Sequence, residues 1–227
     1  MEYKQKLDLL KEQLKSNIMS WYPKEKNKQY IIIKDFCKQD EYKLRDAVNN
    51  LNTNGKILIL MNNRLAIKNV CIKNPEVEEL FNKKEIEELL DGVGLKYRKF
   101  YYPLPNYQIP NVIFTDKHLP DEETISRNIV FNEENDIELN KENEIYIDIF
   151  KQNIDLFKVF ANSFFIECSK NEFEDNNIEF VSFSNMRKEE YRIKTIIKGN
   201  YVYKQNLNEK SISHIESIGR NISILKE

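Results

Sequence analysis

The stretch Tyr30–Met61, YIIIKDFCKQDEYKLRDAVNNLNTNGKILILM, predicts the centre of the fold. Its ends, Tyr30–Ile33 and Lys56–Met61, are short runs of aliphatic and β-branched residues, which is typical of strands buried on both faces of a parallel sheet. Residues 40–52 begin with an aspartate suited to capping and place apolar residues on one side, which predicts a helix that ends at the glycine of Asn54–Gly55. Strand, helix and strand in this order predict a right-handed crossover unit of a parallel α/β sheet.

Further elements are predicted on both sides of this unit. An amphipathic helix is expected through about residue 20, and Asn82 with Glu85 forms a capping box for a helix that ends near Gly92 and Gly94. Residues 131–143 are acidic and rich in asparagine, which favours a solvated loop. The remaining predicted elements are a strand at 96–102, an apolar helix at 144–161, a returning strand at 164–168, three antiparallel strands at 178–183, 191–197 and 200–204, and a helix at 208–218.

Charge and cysteine content argue against some classes of partner and cofactor. The 35 lysines and arginines nearly balance the 37 aspartates and glutamates, and the resulting net charge of -2 argues against a nucleic-acid partner. Cys37, Cys71 and Cys168 have no paired spacing, so we expect reduced thiols, no disulfide framework and no metal site. No apolar run has the length of a signal-peptide core or of a membrane-spanning helix, so we expect a cytoplasmic protein without membrane insertion.

Residues 100–110, FYYPLPNYQIP, concentrate four aromatic residues and three prolines. Because proline fixes φ and lacks an N–H donor, we expect a stiff extended loop that is neither a helix nor a central strand. Its rings either pack beneath the loop as a structural strap or form a wall of a binding site that stacks on a sugar or a nucleobase. The residues that would contact a substrate or partner are Tyr101, Tyr102, Pro103, Pro105, Asn106 and Tyr107, with Asp116 close by in sequence.

Other polar residues have both a structural and a functional interpretation. His118 and His214 suit catalytic bases, but neither has a carboxylate or cysteine pattern around it, which favours surface histidines. Asp116 serves either a site or the turn before Pro120. A basic cluster could grip a phosphate or a polysaccharide lipid carrier, although the alternation along 191–195 is more typical of a half-exposed strand. This cluster consists of Arg187, Lys188, Arg192 and Lys194.

Three segments carry a resemblance to a known family. GKILILMNNRLAIKN at 55–69, FNKKEIEELLDGVGL at 81–95 and KFYYPLPNYQIPNVIFTDKHLP at 99–120 resemble class I S-adenosylmethionine-dependent methyltransferases from the fifth strand onward. They look most like the methyltransferase-like proteins of bacterial surface-polysaccharide gene clusters. NIMSWYP at 17–23, FANSFFIECSK at 160–170 and the segment 183–218 extend the resemblance to both ends of the chain.

The resemblance implies an α/β fold with a truncated Rossmann-like methyltransferase sheet and a C-terminal α+β lobe. We therefore predict an N-terminal helix and linker at 1–29, a truncated methyltransferase-like α/β domain at 30–172, and the lobe at 173–227, with a boundary near 170–177.

The chain departs from the family where the cofactor would bind. Such enzymes hold the cofactor with a glycine-rich turn after the first strand, yet no glycine precedes Gly55 here. About thirty residues separate Pro23 from Gly55, where a full cofactor half needs about a hundred. Deletion of the preceding strands explains this spacing better than loss of one loop, because Tyr30 through Gly55 resembles the family's fourth strand, helix and fifth strand. Asn62, Ala66 and Asn106 stand where the family has glutamate, glycine and aspartate, so we take Asn62, Asn63 and Arg64 as a second candidate site.

Three functional hypotheses follow from these departures. The first is a degenerate, non-catalytic homologue without a cofactor, acting as a structural or regulatory subunit of a full-length methyltransferase or of another protein. The alternative is an active enzyme that binds S-adenosylmethionine by an unfamiliar route and methylates a sugar or polysaccharide precursor. A third, weaker hypothesis is a carbohydrate-binding module that uses the aromatic loop and the basic cluster.

Overall fold

The structure is a computed structural model that describes residues 21–70, 75–121, 148, 151–185 and 187–224. The predicted N-terminal helix before Trp21 and the predicted acidic loop at 131–143 lie outside these residues.

Eight strands form one open sheet in the order β1-β2-β5-β3-β4-β6-β7-β8. Their bounds are β1 Tyr30–Ile33, β2 Lys56–Asn62, β3 Tyr97–Leu104, β4 Val112–Thr115, β5 Ser163–Ser169, β6 Ile178–Phe183, β7 Ile193–Lys198 and β8 Tyr201–Asn206. Only β1 and β2 pair in parallel, and every later neighbour in the described sheet is antiparallel. The prediction of a parallel sheet is therefore wrong beyond the first pair. The reason is that β5 returns between β2 and β3 and runs against both.

The described α-helices flank this sheet or connect its strands. They are α1 Glu41–Asn49, α2 Ile67–Val70, α3 Pro75–Glu78, α4 Lys83–Gly92, α5 Phe157–Phe160 and α6 Ile212–Ile224. Short 3₁₀ turns precede α1, α5 and α6 at Lys38–Asp40, Ile154–Leu156 and Glu209–Ser211, and another lies at Glu189–Tyr191.

The predicted strand–helix–strand unit is confirmed as β1, α1 and β2, with Tyr30 opposite Lys56 and Ile33 opposite Ile59. Three of the four β1 residues are only half-buried, because β1 is the end strand of the sheet. The prediction that both strands are fully buried is thus right for β2 alone.

Two details of the α1 boundaries differ from the prediction. Asp40 makes no side-chain cap to the helix and instead pairs with Lys43 at 2.7 Å. The helix ends at Asn49, so Gly55 is not its C′ residue. Gly55 is required for a different reason, since a Cβ there would lie 2.7 Å from Cδ1 of Leu51 and 3.2 Å from the carbonyl oxygen of Asn52.

The capping box of α4 is confirmed. The Asn82 side chain accepts a hydrogen bond from the backbone N–H of Glu85, and the Glu85 carboxylate accepts one from the backbone N–H of Asn82. The chain leaves this helix through Gly94, whose φ of +82° lies in the region that favours glycine.

The proline-rich segment is in part a central strand, contrary to the prediction. β3 continues through Pro103 to Leu104, and Pro103 lies opposite Ile113 of β4. The carbonyl oxygen of Leu104 accepts from the backbone N–H of Asn111 next to β4, so the backbone groups of Pro103 face β5. The paired register between β3 and β5 ends at Tyr101, so Pro103 lies just beyond the ladder in which its missing N–H would be needed.

Each face of the sheet carries a hydrophobic core. On one face, side chains of β2, β3, β4 and β5 pack against helices, with Leu44 of α1, Ile86 of α4 and Phe157 of α5 fully buried. On the other face, the strands pack against Trp21, Tyr22 and Tyr107. The ring of Trp21 makes edge contacts with Tyr101 and Phe165.

The C-terminal strands extend the same sheet. The three predicted antiparallel strands are confirmed as β6, β7 and β8, and β6 pairs with β4 through Val112 and Ile113. The segment 170–177 is thus a connection within one sheet, while the division of the chain into domains stays a prediction. The predicted helix at 208–218 is observed as a 3₁₀ turn followed by α6. The described end of the predicted helix at 144–161 is interrupted at Asn153, whose side chain caps the next turn. No helix in the described part of the chain is long and apolar enough to cross a membrane.

Candidate functional site

The strands β1, β2 and β3 end at one edge of the sheet. β1 and β2 are parallel, and β2 and β3 share a direction because both run against β5. Ligands of open α/β sheets bind outside the carboxyl ends of such strands. The predicted residues Asn62–Arg64 lie at the end of β2 and Pro105–Tyr107 follow β3, so the fold brings these two candidate groups to the same edge.

Asn63 is the centre of a hydrogen-bond network at this edge. Its side chain is fully buried, and its Nδ2 donates to the carbonyl oxygens of Val159 at 2.8 Å and Ala161 at 2.7 Å. Its Oδ1 accepts from the backbone N–H of Leu65, and its carbonyl oxygen accepts from Nδ2 of Asn69. Every polar group of the Asn63 side chain is therefore bonded within the protein.

The segment before β5 is bound to the proline-rich segment in the same way. Nδ2 of the buried Asn162 donates to the carbonyl oxygen of Pro105 at 2.9 Å, and Oγ of Ser163 donates to that of Pro103 at 3.4 Å. The peptide bond between Leu104 and Pro105 is cis. Asn106 folds back on the chain, since its Oδ1 accepts from the backbone N–H groups of Gln108 and Ile109.

Asp35, which follows β1, joins the third strand end to this edge. Its Oδ1 accepts from the hydroxyl of Tyr107 and from Nε2 of Gln108. The φ of Asp35 is +55°, a left-handed conformation that a short polar side chain tolerates better than most. Burial and the hydrogen bond to Asp35 raise the pKa of Tyr107.

Arg64 connects the segment after β2 to α4. Its guanidinium pairs with Glu85 and lies 3.9 Å from Glu78. Asn62 is half-buried as the last residue of β2, opposite Ser163. Among the three residues predicted as a post-strand site, Asn63 and Arg64 thus have protein partners for their side chains.

Tyr101 is directed away from this edge. Its ring is fully buried, and its hydroxyl donates to Oε2 of Glu167 at 3.1 Å and accepts from Nδ2 of Asn176 at 2.7 Å. Oε1 of Glu167 lies 2.6 Å from Nζ of Lys56, and both charged side chains are almost completely buried. Burial and the charge of Glu167 raise the pKa of Tyr101 well above its usual value.

Tyr102 and Asp116 form a separate pair on the opposite face of the sheet. The Tyr102 hydroxyl donates to Oδ1 of Asp116 at 2.8 Å, and Nζ of Lys158 lies 3.8 Å from the same oxygen. Burial and the charge of Asp116 raise the pKa of Tyr102. All four rings of the segment 100–110 are buried, as a structural strap requires.

The basic cluster lies in the other half of the sheet. Arg187 and Lys188 are exposed, and Nε of Arg192 donates to the carbonyl oxygen of Arg187. Lys194 is buried in β7, and its desolvation lowers its pKa. Four strands, β5, β3, β4 and β6, lie between β2, which ends at Asn62, and β7, which carries Lys194.

The histidines are placed among aromatic rings. The ring of His118 stacks on Phe114 and tilts against Phe180 at 4.8 Å, and His214 lies edge-on to Tyr191 at 5.2 Å. In the described part of the chain, no group of three or more histidine, cysteine, aspartate or glutamate side chains could hold a metal ion.

A polar cavity of about 390 Å³ opens near the beginning of β3 and the end of β5, opposite the edge described above. Its lining includes Arg98, Lys99, Lys117, Phe173 and Asp175. Asp175 bridges the two lysines, and Lys99 also donates to Asn176 and to the carbonyl oxygen of Ile178. These ion pairs neutralise part of the charge that the cavity would offer to a ligand.

Four residues that matter in the structure were not identified from the sequence, namely Asp35, Asn162, Lys56 and Glu167. Asp35 and Asn162 matter because they follow β1 and precede β5, a position that becomes visible only when the strand order is known. Glu167 could have been identified, because a charged residue inside the apolar run FFIEC of β5 needs a buried partner of opposite charge. Lys56 is that partner.

Neither the protein-family models nor the curated proteins nor the solved structures contain a match to the chain.

Proposed function

We propose that the chain is a degenerate, non-catalytic methyltransferase homologue of the cytoplasm that serves as a structural or regulatory subunit of an intact methyltransferase. The observation that carries this proposal is the hydrogen bonding of the polar side chains at the carboxyl ends of β1, β2 and β3. The polar groups there bond to one another and to the backbone, through Asn63, Asn162 and the pair of Asp35 with Tyr107. In a cofactor site such groups would be directed at the ligand. Glycine would also be needed where the backbone approaches the ligand.

The strand order supports kinship with the class I methyltransferases. The segment FANSFFIECSK at 160–170, which contains β5, resembles the strand with which that family's chain returns to the sheet. Here β5 returns between β2 and β3. On this alignment β1 is the fourth strand, and in the described sheet it has no neighbour on the side where the family carries its cofactor-binding half.

The two ends of the sheet support a role as a subunit. β1 offers the half-buried Tyr30, Ile31 and Ile32 at one end, and β8 is exposed at the other. Unpaired edge strands are places where another chain adds to a sheet. A partner would have to supply the cofactor, because the polar groups at the carboxyl ends of β1, β2 and β3 are already occupied.

Copurification tests the proposal. The chain would be mixed with the full-length methyltransferase encoded beside its gene and analysed by size-exclusion chromatography, where we expect one peak that contains both proteins. Isothermal titration of the isolated chain with S-adenosylmethionine and S-adenosylhomocysteine should give no binding heat. Separate elution together with cofactor binding by the isolated chain would instead establish the alternative, an active enzyme acting on a sugar or polysaccharide precursor.

A further inference from the structure

The strand β8 is exposed along its whole length. Tyr201, Val202 and Tyr203 keep 69%, 60% and 46% of their surface accessible, and the remaining three residues of the strand are exposed as well. The ring centroids of Tyr201 and Tyr203 lie 6.4 Å apart. Large apolar side chains grouped on an end strand mark an interaction surface more often than scattered ones do.

The backbone of β8 has a free row of donors and acceptors. Tyr201 lies opposite Lys198 across the two-residue turn, and the N–H of Leu207 donates to the carbonyl oxygen of Arg192 before β7. Odd-numbered residues therefore bond to β7, because backbone groups alternate sides along a strand. The N–H and C=O groups of Val202, Lys204 and Asn206 point away from the sheet, and β8 has no further strand neighbour in the described part of the chain.

The surroundings of this edge are basic. Residues 187–210 contain seven lysines and arginines against three glutamates; Lys194 is buried and Lys210 pairs with Glu189, which leaves five basic residues against two glutamates. Lys204 is exposed and has no carboxylate within salt-bridge distance among the described residues. Nζ of Lys198 lies over the ring of Tyr203, 5.9 Å from its centroid.

We propose that β8 is the docking edge for an extended acidic segment of a partner protein, which adds to the sheet as a further strand. Main-chain hydrogen bonds from Val202, Lys204 and Asn206 would hold the segment, as in other cases of β-strand addition. Because Tyr201 and Tyr203 share one face and Val202 and Lys204 the other, the segment should alternate acidic and apolar residues. Its acidic residues would lie beside Lys204, and its apolar residues against the tyrosines.

The charge of the edge argues against a second copy of the chain as the occupant. Antiparallel pairing of two β8 strands would bring the Lys204 side chains of both copies, and the basic residues around them, to one seam. Like charges on facing strands are destabilising, and exposed lysine is a common means of preventing edge-to-edge association.

This inference names the surface through which the proposed subunit would meet its partner, so it rests on the proposed function for the partner's identity. The chemistry of the edge does not depend on that identity. The test therefore uses a synthetic probe, a fluorescently labelled nine-residue peptide of alternating glutamate and valine, with the corresponding lysine–valine peptide as its comparison.

Fluorescence anisotropy of the full chain should show saturable binding of the glutamate peptide and none of the lysine peptide. Lys204→Glu should weaken binding of the glutamate peptide by about tenfold or more, while Lys84→Glu, which changes an equally charged and exposed residue of α4, should leave it within about twofold. Val202→Pro removes one outward N–H and should also weaken binding. Circular dichroism melting would verify that each variant is folded, and Lys204→Glu tests the edge even if Val202→Pro does not fold.

Three results would overturn the inference. These are equal binding of both peptides, unchanged binding by Lys204→Glu, and a homodimer in light scattering that becomes monomeric in Lys204→Glu or Val202→Pro. If the chain forms a heteromer with the neighbouring methyltransferase and Lys204→Glu leaves it intact, the docking edge is wrong and the proposed function stands. Conversely, selective peptide binding without a heteromer would leave β8 as a docking edge and remove the proposed function.

Discussion

Lys56 and Glu167 form an ion pair in the interior, one on β2 and one on β5. Their side chains are 3% and 0% exposed, so both charges have lost nearly all contact with water. Tyr101 and Asn176 share the hydrogen bonds of Glu167, and the ring of Phe173 lies 4.4 Å from Nζ of Lys56. Without Glu167 the buried charge of Lys56 keeps only the exposed Glu25, 3.9 Å away, and breaking a buried pair costs far more than the intact pair contributes.

We predict that Glu167→Gln destabilises the protein by about 3–5 kcal/mol. The double variant Lys56→Met with Glu167→Gln should regain much of this loss because no buried charge remains. Urea unfolding of the unchanged protein, Lys56→Met, Glu167→Gln and the double variant gives the coupling energy between the two side chains directly. Glu88→Gln, which breaks an exposed pair with Lys84, is the control and should change stability by less than about 1 kcal/mol. An equally small effect of Glu167→Gln would show that water reaches the pair.

Asp175 provides a pH-dependent interaction beside the polar cavity. Burial raises its pKa, but hydrogen bonds from Lys117 and Lys99 outweigh this and lower the pKa to about 2 from a usual value of 3.8. Because the folded pKa lies below the unfolded one, the carboxylate stabilises the fold above about pH 4, and this contribution is lost as the pH falls towards 2.

Asp175→Asn should therefore lower the melting temperature at pH 7, with a loss of up to about 1 kcal/mol because the side chain is partly solvated. The difference from the unchanged protein should shrink between pH 4 and pH 2 and then vanish. Melting curves across this range are the measurement. Glu172→Gln, at an exposed position of the same loop, is the matched control, and a difference that persists at pH 2 would contradict the assigned role of Asp175.

At the scale of single elements, the sequence predicted β1, α1, β2 and α4 well because their signals are local. The capping box of Asn82 and Glu85 and the apolar run of β2 act within a few residues. The position of Pro103 inside β3 could not be predicted from such local signals. Whether a proline fits inside β3 depends on which neighbouring strand its missing N–H would face, and that is decided by the distant β5.

The candidate site could also be predicted only in so far as its signals are local. The post-β2 and post-β3 segments were predicted as two separate candidate groups, and both are hydrogen-bonded to the segment around Ala161 and Asn162, about a hundred residues from Asn63. No local pattern reports which buried amide will meet which carbonyl group.

The segment after β2 offers a direct test of this network. Asn63→Ala removes the donor to the carbonyl oxygens of Val159 and Ala161 and leaves buried acceptors unpaired, so we predict a loss of about 3 kcal/mol. Asn62→Ala is the matched control, because the half-buried Asn62 has no such side-chain bonds in the described structure, and it should cost less than about 1 kcal/mol. Chemical denaturation of the two variants is the measurement. Equal losses of stability would mean that the hydrogen-bond network of Asn63 does not hold this part of the sheet together.

At the scale of the whole molecule, the chain is a mixed α/β protein with one open sheet and an unpaired strand at each described end. The mostly antiparallel pairing was not predictable from periodicity, since the place of β5 between β2 and β3 is a property of the assembled sheet. The same arrangement, together with an edge whose polar groups are internally bonded, underlies the proposal of a subunit that has lost its own cofactor site.

Titration of S-adenosylhomocysteine into the proposed heteromer of this chain and a full-length methyltransferase tests that proposal most directly. We predict one binding site per pair, supplied by the partner alone, and no binding heat when the isolated chain is titrated under the same conditions. Two sites per pair, or saturable binding by the isolated chain, would contradict the account.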